Sequence, residues 1–117
     1  PKNTDEEKTL RSAAIQDATL FATEVPLETM KTSVKVFDVC RQMVREGNPN
    51  SVSDAGVGAL AARAAVIGAG MNVKINASSL KDRKKAEALI AEADAIIEKA
   101  NAEEKEITQE VDKKIKG

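Results

Sequence analysis

Two short polar runs in this 117-residue chain carry side chains suited to chemistry on a small polar ligand. The first is Gly47-Asn48-Pro49-Asn50-Ser51-Val52-Ser53-Asp54, and its Asp54 is the one acid between residues 47 and 79. Such a carboxylate either occupies the first turn of a helix, where the macrodipole favours negative charge, or works as a general base or as an anchor for a protonated ligand nitrogen. The second run, Asn72-Val73-Lys74-Ile75-Asn76, sets two amides four residues apart on one helix face. Amides so placed either satisfy stray backbone groups or bind a polar heterocycle. Lys74 reads as a snorkelling surface lysine ahead of an anion contact. Gly56-Val57-Gly58-Ala59-Leu60-Ala61 spells the dinucleotide fingerprint G-x-G-x-x-A, but that fingerprint needs a preceding strand and residues 48–53 do not form one, so small-residue helix packing accounts for it. Cys40, on an apolar helix face, reads as a buried inert thiol.

Composition removes most other chemistries. The chain has no His and one Cys, which leaves no disulfide framework, no zinc site built from Cys and His, and no His-dependent triad. Eighteen Lys and Arg against 19 Asp and Glu argue against a nucleic-acid or anionic-membrane surface, and two Phe with no Trp or Tyr deny it a base-stacking platform. The 19 alanines and three prolines describe closely packed helices, and the length fits a single helical domain over residues 1–117.

The elements that must carry the two runs follow from charge and periodicity. Residues 1–46 hold fifteen charges and residues 80–117 hold nineteen, whereas residues 47–79 hold only Asp54, Arg63 and Lys74, which marks the middle third as the buried one. Arg63 and Asn72 break it too much for a membrane span. Thr4 with Glu7 forms a capping box, and Leu10, Ala14, Ala18, Phe21 and Val25 recur at helical spacing as a half-buried face. Val25-Pro26 is expected to end that helix and begin a second, with Met30, Val34, Phe37, Arg41 and Val44 on one line and Gly47 as its C-terminal cap. Ser51 or Ser53 is expected to cap a central Ala/Gly-rich helix from about Asp54 to Gly70, fit for the centre of a bundle or a subunit interface. Residues 72–76 prolong it in preference to forming a strand, which would have no partner. After a second capping box at Ser79 and Asp82, a long C-terminal helix carries the seam Ala86, Ile90, Ala93, Ile97, Ala100, Glu104, Ile107 and Val111, interrupted at Glu104. The fold class is all-α, a helical bundle.

The two polar runs, about twenty residues apart, resemble the C-terminal signature of the formiminotetrahydrofolate cyclodeaminase and methenyltetrahydrofolate cyclohydrolase family. Pro1-Lys2-Asn3-Thr4, Ala22-Thr23-Glu24-Val25-Pro26-Leu27 and the long last helix are similar in order and spacing, so the likeness covers essentially the whole chain. It implies a cytoplasmic enzyme of folate one-carbon metabolism, acting as a homodimer or as half of a bifunctional protein. The expected reaction closes 5-formimino-tetrahydrofolate to 5,10-methenyl-tetrahydrofolate with release of ammonia; the alternatives are a methenyltetrahydrofolate cyclohydrolase and a non-catalytic helical dimerisation module. Both reactions pass through a tetrahedral carbon bridging two folate nitrogens and call for orientation, a proton donor and acceptor and control of water, with a reduced folate as substrate and no metal or other cofactor. Carried across by motif, Asp54 is the expected acid-base residue, and Asn48, Ser51, Ser53, Asn72 and Asn76 are expected to bind substrate. The family pattern starts upstream of Pro1 with a glycine-rich segment and an acidic-aromatic helix, so the resemblance implies that the chain needs the missing upstream half of the same domain to complete a site.

Overall fold

The structure, a computed structural model, describes residues 4–117; Pro1, Lys2 and Asn3 of the opening similarity lie outside the described residues. Four helices follow one another, α1 (Asp5–Val34), α2 (Val36–Arg45), α3 (Pro49–Ala77) and α4 (Arg83–Lys116), with no strand among the described residues. The all-α expectation holds, and residues 72–76 are helical. Lys35 between α1 and α2 keeps right-handed helical dihedrals, so these two make nearly one rod. The rods lie side by side in a body 72 × 21 × 15 Å, with α3 touching all the others.

Thr4 caps α1 as expected, its hydroxyl oxygen accepting from the Glu7 N–H at 3.1 Å. The other expected boundaries move. Pro26 lies inside α1 and does not end it. A proline takes the N–H away from the carbonyl four residues earlier, here Ala22, and that loss usually kinks or breaks a helix. Asn76 of α3 supplies the missing donor: its Nδ2 donates to the Ala22 carbonyl at 3.0 Å. The apolar line Leu27, Met30, Phe37, Cys40 and Val44 then continues across the seam into the core.

Gly47 has no left-handed backbone and is not the cap of α2, whose last turn closes through the Glu46 N–H on Gln42. It is small for another reason: a Cβ there would sit 2.9 Å from the Val44 carbonyl and 3.1 Å from Val52. The N-cap of α3 is Asn48, followed by Pro49 at the first helical position, so neither Ser51 nor Ser53 caps it and the helix starts five residues before Asp54. Asp82 itself caps α4 by accepting from the Lys85 N–H at 3.1 Å, which displaces Ser79 from that role.

The buried face of α3 is made of small residues, including Ala55, Gly56, Ala59 and Ala62, and α4 answers with Ala86, Ala93 and Ala100. The helices therefore approach closely: a Cβ on Gly70 would stand 2.8 Å from Ile97 Cδ1, and one on Gly56 3.3 Å from Val111 Cγ1. The α4 seam runs as expected, and beside the Glu104 that interrupts it Glu103 is met from α2. Arg41, on the otherwise apolar α2 line, reaches Glu103 at 3.5 Å with both side chains about four-fifths covered. Cys40 is buried, and burial pushes its thiol pKa up, in keeping with an inert sulfur.

The half-buried face expected on α1 is a correction. Leu10, Ala14, Ala18, Phe21 and Val25 point outward, Phe21 with 69% of its surface free. Ahead of Leu27 the inward side of α1 is largely polar, with Leu20 its apolar member: Thr23 is fully buried with its hydroxyl on the Thr19 carbonyl, and Gln16 accepts from the Lys81 N–H at 2.9 Å. Satisfied polar groups can be covered at little cost, so these residues face the bundle and the line from Leu10 to Val25 is left outside.

Candidate functional site

Both polar runs belong to α3, at its two ends. Asn48 spends its side chain locally, its Oδ1 accepting from the Asn50 N–H at 3.0 Å as the helix cap. Ser51 is half-buried, and Ser53 and Asp54 are exposed. Because α3 begins at Pro49, Asp54 lies in the second turn and the first turn holds no acid, so end-charge stabilisation, which fades within one turn, does not account for it. Asp54 forms no ion pair or hydrogen bond among the described residues, whereas Asp38, Asp94, Glu92 and Glu103 each face a cation. It presents a solvated carboxylate with no structural employment.

Asn72 and Asn76 reach an open groove between α1 and α3 of about 430 Å³, lined also by Ala22, Val25, Pro26 and Thr29 from α1. Asn72 is exposed there with its amide unpaired among the described residues. Asn76 is half-buried and holds the Ala22 carbonyl, so one of the two amides satisfies a stray backbone group and the other is free for a ligand. Lys74, between them, pairs with Asp94 of α4 and belongs to the α3–α4 packing.

Pro26 and Thr29 escape a reading from spacing, which takes Pro26 as a helix end. The available signal was the line Thr23, Leu27, Met30 and Val34, which passes Pro26 at unbroken helical spacing. The pairing of Pro26 with Asn76 has a measurable consequence. Asn76→Ala is expected to cost about 1 kcal/mol, the worth of one hydrogen bond, and to cost nothing further in a Pro26→Ala background, where residue 26 regains an N–H for Ala22. Urea denaturation of the four proteins checks this; equal losses in both backgrounds would dissociate the amide from the proline.

Asp54 and Asn72 lie on one line of α3, since 18 residues make five turns, and are about 27 Å apart along the axis. No single reacting carbon touches both within one copy. The structure thus brings Asn48, Ser51, Ser53 and Asp54 to one end of α3 and Asn72 and Asn76 to the other.

Comparison with known proteins gives these positions a context. Residues 1–95 match the family described as formiminotransferase-cyclodeaminase. A methenyltetrahydrofolate cyclohydrolase of Methylorubrum extorquens is 41% identical over 115 residues, 98% of this chain and 55% of that protein. Formimidoyltransferase-cyclodeaminases of Rattus norvegicus and Dictyostelium discoideum are 35% and 36% identical over 70% and 77% of this chain, which are 15% and 17% of their own lengths. The chain thus spans about half the length of the cyclohydrolase and a smaller share of the bifunctional proteins.

Proposed function

Because this chain belongs to the formiminotransferase-cyclodeaminase family, we propose that it carries part of the folate-handling machinery of one-carbon metabolism and acts on the carbon that bridges two nitrogens of a reduced folate. The observation that carries this reading is the 41% identity to a methenyltetrahydrofolate cyclohydrolase along 98% of the chain, which includes both polar runs. That extent favours water as the second reactant, added to the methenyl carbon of 5,10-methenyl-tetrahydrofolate. Ammonia release from 5-formimino-tetrahydrofolate is the second reading, favoured by the cyclodeaminase relatives over 70–77% of the chain.

In either direction the bridging carbon becomes tetrahedral, and a proton must leave the incoming group or reach the departing one. Asp54 is the residue assigned to hold that proton, being solvated and free of any structural partner among the described residues. Ser51 and Ser53, one turn or less before it, are assigned to the polar substrate atoms at the same end, and Asn72 to a heterocycle edge in the α1–α3 groove, where its amide both donates and accepts. Asn48 and Asn76 support these positions by capping α3 and by pairing the Ala22 carbonyl that Pro26 leaves without a donor. The activity is that of the assembled cytoplasmic enzyme, with further polypeptide from the same kind of domain contributing to the site, and the reading asks for no cofactor besides the folate substrate.

The test is reduced-folate binding and turnover by the assembled protein. Loss of methenyl-tetrahydrofolate absorbance without ammonia is expected for the first reading, and appearance of that absorbance with stoichiometric ammonia from the formimino substrate for the second. Failure to bind either folate at saturating concentration would sink both.

A further inference from the structure

The first part of α1 is attached to the bundle almost without a core. No side chain from Asp5 to Ala22 is buried; the buried residues of α1 begin at Thr23 and continue with Leu27 and Met30. Leu20 alone in that stretch packs an apolar side chain against the core, and it is only partly covered. The remaining ties are polar. The Gln16 amide donates to the Ser79 carbonyl at 3.4 Å and accepts from the Lys81 N–H at 2.9 Å, and Lys81 Nζ donates to the Ser12 hydroxyl at 3.0 Å. Asn76 Nδ2 adds its bond to the Ala22 carbonyl. Few buried apolar contacts and solvent-exposed hydrogen bonds mark the parts of a structure that open at low cost.

The backbone of α1 is weakest where this stretch meets the core. Pro26 brings no N–H to the Ala22 carbonyl, so no bond of the α1 ladder crosses that step. On either side the hydroxyls of Thr19, Thr23 and Thr29 donate to the carbonyls of Ile15, Thr19 and Val25 at 2.8, 2.8 and 3.3 Å. Such back-bonding loosens and bends helices, and proline is the commonest cause of a sharp kink. The bond missing from this joint comes from α3, through Asn76, and the joint itself walls the groove that holds Asn72.

We propose that α1 is hinged at Pro26, that its arm from Asp5 to Ala22 swings as an intact helix away from α3 and residues 78–82, and that Asn76 and Gln16 are the latch. Ala22 moves with the arm while Pro26, Thr29 and α3 stay, so opening widens the groove beside Asn72 and releases the Asn76 amide. An acceptor that enters the groove and takes that amide in place of the Ala22 carbonyl favours the open arm, since it has a contact there that the closed arm denies it. The hinge stands apart from the folate reading, because nothing in it depends on which molecule enters.

The experiment measures spin-label distances by pulsed dipolar spectroscopy on the folate-free chain, diluted with unlabelled chain so that only distances within one copy are read. Labels on Leu10→Cys and Ala88→Cys, all exposed positions, join the arm to α4; labels on Thr32→Cys and Ala88→Cys join the other side of the joint to the same place. Cys40 is buried and stays unlabelled. The arm pair is expected to show a main distance and a smaller second population, and Asn76→Ala or Gln16→Ala should raise the second about fivefold, the worth of one net hydrogen bond. Pro26→Ala should suppress it, also in the Asn76→Ala background, where residue 26 again has an N–H for Ala22. The Thr32 pair should stay single throughout, and circular dichroism should show unchanged helix. An arm distance indifferent to Asn76→Ala and Gln16→Ala, or a second population as large in Pro26→Ala as in the wild type, would overturn the proposal. So would loss of helix in step with the second population, which means that the arm unfolds in place of swinging, or equal broadening of the Thr32 pair.

Discussion

Asp54→Asn, in the assembled enzyme, is expected to lower turnover by about 100-fold while leaving KM and stability within experimental error. The magnitude is that of losing one positioned acid-base group. The amide preserves shape and hydrogen bonding but can neither take nor give the proton that a tetrahedral intermediate at the bridging carbon requires. Stability should not move, because Asp54 is exposed and makes no hydrogen bond or ion pair among the described residues, and surface changes of that kind stay within about 0.5 kcal/mol. Ser53→Ala, next to it and equally exposed, should instead raise KM with a smaller effect on kcat, as loss of a binding contact does. Unchanged kcat and unchanged affinity in Asp54→Asn would remove it from the site.

Phe37→Ala is expected to destabilise the chain by about 3–5 kcal/mol, a large part of the 5–15 kcal/mol that holds a domain of ordinary stability. Phe37 is fully buried on α2, beside Cys40 and Val44 on the line that closes the bundle. The buried core of the bundle is dominated by Ala and Val, whose short side chains reach little of the space that a ring would leave. The chain's other phenylalanine is the control. Phe21 is 69% exposed, and Phe21→Ala should cost no more than about 0.5 kcal/mol. Guanidinium denaturation followed by circular dichroism measures both; equal losses would mean that Phe21 is buried in solution.

The helices were legible where local chemistry decides them. The Thr4 cap, the small-residue face of the central helix and the α4 seam all follow from spacing, and the structure places them as that spacing expects. What spacing could not show is what a distant residue supplies. Pro26 breaks a helix only if the Ala22 carbonyl stays unpaired, and its partner is 54 residues further along the chain. The choice between the two lines of α1 was equally non-local, since the polar one is covered only because Gln16 meets the backbone of Lys81. The site residues were nameable from their motifs, but their separation was not, because it depends on α3 running straight from Pro49 to Ala77.

The slender outline of the molecule bears on its behaviour in solution. A compact protein of this length has a radius of gyration near 13 Å, whereas this chain has 19.6 Å. A single copy therefore drags like a heavier sphere and leaves a sizing column early, at the position of a larger globular standard. Elution volume thus exaggerates the mass of a single copy, whereas scattered intensity and sedimentation equilibrium weigh the particle whatever its shape.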